Sequence, residues 1–254
     1  MPVRSTRSTR TRSRKAGGSS TRGGTVSAQY WECAAQPLYS LAFLFPVVAA
    51  YEFGAIVLRP VAWPEKLLVA QNLLHVMLGM LGATGLWMPG LALLLTLLTW
   101  HILSRHRWSL HAWVLPLMLA ECLLLTLPLF VIGRILLQAG GGGGDFRVNV
   151  VLALGAAIYE ELLFRLGLIV LLSVVLVDLL RVPKRFAAGP IVVASALLFA
   201  AAHFAPLGSL AYSSSRFAIL AVSGAYLSGV FLLRGLGVCT GCHAAYNVLL
   251  LVLH

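Results

Sequence analysis

Charged side chains are scarce in this sequence. Only 11% of its 254 residues are Asp, Glu, Lys or Arg, and just eight are acidic, whereas a soluble domain carries about a quarter charged residues. Hydrophobic residues make up 59% of the chain, and the mean hydropathy is +0.90. Because the apolar runs leave no stretch for a separate soluble domain, the composition predicts one membrane domain.

Cysteines are also few, and their positions do not indicate a disulfide framework. Cys122, Cys239 and Cys242 lie in or beside apolar segments, and Cys33 is the fourth;. The stretch from Cys239 to His243 matches the short C-x-x-C-H pattern of haem attachment. Since this stretch is otherwise a Gly- and Leu-rich membrane segment, we interpret the cysteines as free thiols packed as small apolar residues.

Basic residues are concentrated at the N-terminus. The first 22 positions contain no acid and seven of the 19 basic residues, namely Arg4, Arg7, Arg10, Arg12, Arg14, Lys15 and Arg22. Residues 1–30 lack the apolar side chains that offset chain ordering, so we predict a disordered basic tail. The tail could determine a cytoplasmic N-terminus or contact anionic lipid. Nucleic acid is not expected as a partner.

The apolar runs predict an all-α, polytopic transmembrane bundle of about eight spans. A spanning helix needs about 20 mostly apolar residues, and its backbone polar groups must be satisfied within the segment. The candidate segments are 38–58, 67–84, 87–103, 112–137, 147–180, 189–205, 214–233 and 237–253. We divide the chain into N-terminal membrane helices (31–139), a Gly-rich linker (140–146) and a second helical domain (147–254).

The charge pattern gives conflicting indications of topology. The basic tail predicts a cytoplasmic N-terminus in the cell membrane. Eight spans return the C-terminus to the cytoplasm, but they place five basic residues outside, against the positive-inside rule: Arg105, Arg107, Arg181, Lys184 and Arg185. Seven spans place these residues inside and leave the C-terminus outside. We favour eight.

The first polar cluster runs from Tyr159 to Arg165 inside an apolar stretch. Each ionisable group at membrane depth costs at least about 2.5–3.5 kcal/mol on insertion scales. Glu161 and Arg165 are spaced i, i+4 and can pair, whereas Glu160 points about 100° away. Adjacent carboxylates in a low dielectric resist ionising together, which suits one of them to general-base chemistry. The alternative is a structural ion pair beside a second Glu that reaches the interface.

Two further clusters lie on later apolar segments. Phe199 precedes His203 by four residues, and His243 precedes Asn247 by four. An imidazole and a carboxamide on one helix face could donate to an oxyanion, or they could join neighbouring helices. Together, the three clusters contain the groups needed to hold and activate a water.

These clusters resemble the three motifs of the CPBP family. The matching residues are Glu160-Glu161-x-x-x-Arg165, Phe199-x-x-x-His203 and His243-x-x-x-Asn247, in the order of the family's motifs. The family contains the type II CAAX prenyl endopeptidases and many bacterial relatives described as bacteriocin self-protection proteins. The resemblance covers roughly residues 148–253.

The resemblance implies an intramembrane endopeptidase with helices around a conical cavity. It implies that Glu160 activates water, that His203 positions the water and that His243 and Asn247 stabilise the oxyanion. Glu161, Arg165 and Phe199 would support the site. Whether the family uses a metal is disputed; zinc, if present, would be held by Glu160, His203 and His243.

We therefore expect an endopeptidase that acts on a membrane-associated protein or peptide. One alternative is a non-catalytic membrane scaffold or immunity partner. Another is a proton-coupled transporter with Glu160 and His203 as a relay.

Overall fold

The computed structural model describes residues 26–62, 69–80, 82, 88–136, 145–204, 207–208 and 210–253. Apart from one bridge between Phe204 and Leu210, the regular structure of these residues is helical. The helices are α1 (Val26–Ala34), α2 (Pro37–Ala62), α3 (Val69–Met80), α4 (Met88–Leu103), α5 (Val114–Leu136), α6 (Phe146–Leu179), α7 (Lys184–Ala202) and α8 (Ser214–Val252). The fold is an all-α membrane bundle, as predicted.

Five helices in the described part of the chain are long and apolar enough to cross a membrane. They are α2, α5, α6, α7 and α8. The predicted segments 67–84 and 87–103 form the shorter apolar helices α3 and α4, of 12 and 16 residues. Each is shorter than the roughly 20 residues of a full span.

Helix α8 is a hairpin of two membrane arms, residues 214–234 and 236–252. Gly235 has φ 81° and ψ 179°, a conformation essentially restricted to glycine. The Cys239 thiol lies 3.2 Å from the Leu227 carbonyl oxygen, whereas twelve residues of straight helix would separate them by roughly 18 Å. The predicted break between 214–233 and 237–253 is therefore confirmed, and it reverses the chain.

The α4–α5 connection lies at the same end of the bundle as the start of α2. The Tyr39 hydroxyl donates to the Ser109 carbonyl oxygen (3.2 Å) and lies 2.8 Å from His111 Nδ1. The hairpin turn also lies there, because Gly237 N donates to Ser40 Oγ (3.1 Å).

The α6–α7 connection lies at this end too. Asp178 and Lys184 line one surface pocket with Leu232, one turn before Gly235. We call the end formed by residues 35–37, 104–113, 178–184 and 235 the basic end.

The positions of α3 and α4 bear on the number of passes, which stays a prediction. The start of α4 lies beside the middle of α2, where a Cβ on Gly90 would meet Glu52 and Val48, and α4 ends at the basic end. If α3 and α4 together form one pass, the described helices provide seven passes; if each of them inserts separately, the helices provide the eight favoured from the sequence. Five basic residues now share the end from which α2 begins: Arg105, Arg107, Arg181, Lys184 and Arg185.

The predicted disordered tail extends too far into the chain. Residues 1–25 lie outside the described part, but Val26–Tyr30 begin α1. The Tyr30 hydroxyl donates to Glu121 on α5, and the Arg234 guanidinium lies 3.5 Å from the Trp31 ring centroid. Arg234 also binds Glu121 through Nη2 at 2.8 Å. These partners lie about 90 and 200 residues away, so local composition could not reveal them.

The predicted linker 140–146 falls mostly outside the described residues. Its last two positions belong to α6: Asp145 accepts a hydrogen bond from Arg147 N (2.8 Å) as the N-cap, and Phe146 begins the helix. An N-cap carboxylate satisfies an otherwise unpaired amide of the first turn. The division at 139 and 147 into two domains stays a prediction.

The small residues of α8 differ in how closely they are packed. A Cβ on Gly224 would lie 3.0 Å from Phe199 Cδ1 and 3.1 Å from Ala196 Cα, whereas a Cβ on Gly229 would meet no neighbouring group of the described residues within 4 Å beyond its own stretch of helix. We expect Gly224→Val to destabilise the folded protein by about 1–3 kcal/mol, because extra methyls in a packed interface force strain. Gly229→Val is the matched control and should stay within about 0.5 kcal/mol. Unfolding midpoints in detergent measure both; equal losses would contradict this packing.

Candidate active site

Helix α6 changes its winding at the two adjacent carboxylates. The chain is α-helical from Phe146 to Glu160 and π-helical from Glu161 to Ile169. A π-helical segment is wider than an α-helix and is frequent at functional sites. It begins at Glu161, so the two carboxylates lie at the junction of two helix types.

Glu161 is the buried centre of a polar network. Its side chain is fully buried, and so is that of Arg165, whose Nη1 lies 3.2 Å from Glu161 Oε1. His243 Nδ1 lies 2.8 Å from the same oxygen, and the Cys239 thiol donates to Oε2 at 3.0 Å. The predicted pairing of Glu161 with Arg165 is therefore confirmed. Three groups hold this carboxylate, which offsets the cost of burying its charge.

Arg165 ties the network to two further helices. Its Nη2 donates to the Gly224 carbonyl oxygen (3.3 Å) on α8, and its guanidinium carbon lies 4.3 Å from the centroid of the Phe199 ring on α7. A guanidinium over an aromatic face gains cation–π energy, more so away from water. Phe199 therefore covers the buried cation, and its predicted supporting role stays a prediction.

Glu160 occupies a different position from Glu161. Its carboxylate is 16% exposed and lies between two imidazoles, with His203 Nε2 at 3.8 Å from Oε1 and His243 Nε2 at 3.8 Å from Oε2. The three residues come from α6, the end of α7 and the second arm of α8. The structure thus brings together one residue from each of the three sequence clusters around a partly open carboxylate.

Each histidine is oriented through its other ring nitrogen. His203 Nδ1 lies 2.8 Å from the Phe199 carbonyl oxygen, which can only accept, so Nδ1 carries a hydrogen;. His243 Nδ1 is held in the same way by the Glu161 carboxylate. A partner on one nitrogen fixes the ring and the role of the other. Both Nε2 atoms are therefore directed at Glu160.

The 3.8 Å separations are too long for direct hydrogen bonds, which are normally 2.7–3.2 Å for N–H···O;. A polar separation of this size can be bridged by a water molecule. The site has acceptors on both sides of such a water, which is the arrangement needed to take its proton.

Asn247 lies one helical turn beyond His243 and is bound to α6. Its Nδ2 donates to the Ala153 carbonyl oxygen at 3.1 Å. A carboxamide has two donor hydrogens, so this bond leaves one for another acceptor. The structure does not join Asn247 directly to Glu160 or to the histidines among the described residues, and its predicted oxyanion role stays a prediction.

The arrangement fits a metal less well than a water. The donor set of two imidazole nitrogens and a carboxylate has the chemistry of a zinc site. Two ligands of one tetrahedral zinc lie about 3.3–3.5 Å apart, whereas both separations here are 3.8 Å. In the part of the chain that the structure describes, no group of three or more His, Cys, Asp or Glu side chains is placed to hold a metal ion. Zinc binding therefore stays an untested prediction.

Cys239 is the site residue that the sequence interpretation missed. We treated its thiol as a packed apolar group, and it is buried, but it donates to Glu161. One signal could have revealed it, since residues 239, 243 and 247 recur every four positions and so share a helix face. The π-helical winding of 161–169 had no such signal in the local composition.

Comparison with known families supports the resemblance drawn from the three motifs. Residues 144–249 match a family model described as type II CAAX prenyl endopeptidase Rce1-like. The match supports assignment of this part of the chain to the CAAX protease family. The matched range contains every predicted site residue, from Glu160 to Asn247, and excludes α1 to α5. No curated protein and no solved structure matches the chain.

The family match gives the geometry a chemical context. The matched family is described as an endopeptidase, and peptide hydrolysis needs an activated water and a stabilised oxyanion. The cluster of Glu160, His203 and His243 lies inside an apolar helical bundle, where ionisable groups are costly and therefore usually mark functional sites.

Proposed function

We propose that this protein is an intramembrane endopeptidase that hydrolyses a peptide bond of a membrane-associated protein or peptide, with water activated by Glu160. The observation that carries the proposal is the Glu160 carboxylate, placed 3.8 Å from Nε2 of His203 and 3.8 Å from Nε2 of His243. The family match to residues 144–249 supports the same reaction class.

In this mechanism, Glu160 is the general base. A water held between Glu160 and His203 gives a proton to the carboxylate as its oxygen attacks the carbonyl carbon of the substrate. His203 Nε2 accepts the second hydrogen of the water. This contact directs the lone pair of the water oxygen at the substrate carbonyl carbon. The carbonyl-oriented ring of His203 fixes the direction of that contact.

The tetrahedral intermediate carries its negative charge on the former carbonyl oxygen. Asn247 can donate its second Nδ2 hydrogen to this oxygen, and His243 can donate from Nε2 when that nitrogen is protonated. When the C–N bond breaks, the proton on Glu160 moves to the leaving amine. Glu161 and Arg165 take no part in proton transfer; they hold His243 in position.

The decisive experiment uses the purified protein in proteoliposomes with a library of membrane-anchored peptides, read by mass spectrometry. We expect cleavage at a defined bond, with the two products together heavier than the substrate by one water. Proton-coupled flux without cleavage would replace this function with transport. Neither cleavage nor flux across a library that includes prenylated and unmodified peptides would favour the scaffold.

We further infer that the basic end of the bundle faces the cytoplasm. It combines five exposed basic residues, from Arg105 to Arg185, with the start of α2, which follows the basic tail. Basic residues in short loops are enriched on the cytoplasmic side. The second arm of α8 then ends at the face of the membrane opposite the cytoplasm.

A matched pair of cysteine variants tests this orientation. Ser109 lies at the basic end and Ser214 at the opposite end; both are exposed, whereas the four native cysteines are buried. In intact cells, an impermeant maleimide should label Ser214→Cys and should label Ser109→Cys only after permeabilisation. The reverse pattern would place the basic end outside.

A further inference from the structure

The proposed mechanism leaves the two cysteines beside His243 without a role. Cys239 and Cys242 lie on the same arm of α8, and both side chains are fully buried. They are matched in chemistry and burial but differ in what they contact. The Cys239 thiol contacts a residue of the site, whereas the Cys242 thiol packs against another helix.

The Cys239 thiol contacts the carboxylate that orients His243. Its Sγ lies 3.0 Å from Glu161 Oε2 and 3.2 Å from the Leu227 carbonyl oxygen. Both partners are acceptors, so the thiol is the donor in either contact. A carboxylate oxygen accepts more strongly than a neutral carbonyl, which favours the bond to Glu161.

The two oxygens of Glu161 have different partners. Oε1 is held by Arg165 at 3.2 Å and by His243 at 2.8 Å. Among the described residues, Cys239 is the hydrogen-bond partner recorded for Oε2. Without this donor, a fully buried carboxylate oxygen would lack a partner. The carboxylate would then be more stable with both oxygens turned towards Arg165, and His243 would lose its alignment with Glu160.

Cys242 has a different environment. Its carbonyl oxygen accepts a hydrogen bond from Thr126 Oγ1 at 3.1 Å, and its Sγ lies 3.9 Å from the same hydroxyl. These contacts join α8 to α5, and no hydrogen bond of the Cys242 thiol to Glu161 is present among the described residues. Cys242 therefore serves as an internal control for the loss of a buried thiol.

We propose that Cys239 is a positioning residue, whose thiol holds Oε2 of Glu161 and thereby fixes the carboxylate that aims His243 at Glu160. This inference rests on the proposed peptidase function for its effect on rate. The hydrogen bond itself does not depend on that function.

Kinetics of three variants test the effect on rate. Cys239→Ala should lower kcat about tenfold, the effect of losing one hydrogen bond to a charged group, and leave KM unchanged. Cys239→Ser, which restores a donor, should recover most of the rate. Cys242→Ala should stay within about twofold of the unmutated protein. Equal losses in the two alanine variants, or no recovery in the serine variant, would overturn the proposal.

Infrared spectroscopy tests the bond without any need for activity. The S–H stretch of Cys239, isolated by subtracting the spectrum of Cys239→Ala, should lie at lower frequency than that of Cys242, isolated from Cys242→Ala. Glu161→Gln should move the Cys239 band to higher frequency and leave the Cys242 band in place. A Cys239 band that does not respond to Glu161→Gln would overturn the proposal even in an active peptidase. A responsive band in a protein without peptidase activity would show that only the proposed function had failed.

Discussion

Replacing Glu160 with Gln is expected to lower kcat/KM for peptide cleavage by at least about 100-fold, the lower range of what a general base contributes. The amide has nearly the same shape as the carboxylate, but it cannot accept the proton of the attacking water. The His203 and His243 rings would keep their positions, because each ring is held through Nδ1 by another group. Initial rates on a reporter peptide measure the effect.

A second carboxylate on the same helix provides the control for this variant. Asp178 is exposed near the basic end of α6, and Asp178→Asn makes the same chemical change away from the site. We expect Asp178→Asn to retain the unmutated rate within about twofold. An unchanged rate in Glu160→Gln would remove Glu160 as the base.

Removing the guanidinium of Arg165 is expected to have the largest effect on stability. Arg165→Leu leaves the fully buried Glu161 carboxylate without its cation, and breaking a buried pair from one side costs about 3–5 kcal/mol. The folded fraction in detergent and the unfolding midpoint should fall together. Arg147→Leu is the control, because Arg147 also lies on α6 beside a carboxylate, at 4.0 Å from Asp145, but is 81% exposed. A surface pair of this kind contributes about 1 kcal/mol or less.

A double variant separates the structural and functional roles of this pair. Arg165→Leu with Glu161→Gln removes both charges, which is often far less costly than removing one. We expect the double variant to regain part of the lost stability and none of the activity, because His243 has lost its carboxylate. Recovery of activity together with stability would show that Glu161 acts only as the partner of Arg165.

The helical segments could be predicted from the sequence because lipid imposes a simple rule on backbone polar groups. The same rule does not fix how many segments pass fully across the membrane, and α3 and α4 are each shorter than a full span;. The i, i+4 pairing of Glu161 with Arg165 follows from helix geometry alone. So does the divergence of Glu160 from that pair.

The rest of the site depends on tertiary structure. No spacing along one helix shows that His203 and His243, 40 residues apart, lie on the two sides of Glu160. Helix α1 likewise could not be predicted locally, because its contacts are with Glu121 and Arg234, which are distant in the sequence. The packing of the small residues of α8 depends on the neighbouring helix in the same way: a Cβ on Gly224 would meet Phe199 and Ala196, whereas a Cβ on Gly229 would meet no neighbouring group in the described part of the chain.

The most direct test of an intramembrane endopeptidase is a comparison of protein termini in membranes of the native host. Cells with the unmutated protein are compared with cells carrying Glu160→Gln at matched membrane levels. We predict a set of new termini in membrane-associated proteins that is present with the unmutated protein and lost with Glu160→Gln. Identical termini in the two strains, together with an intact phenotype, would contradict the account.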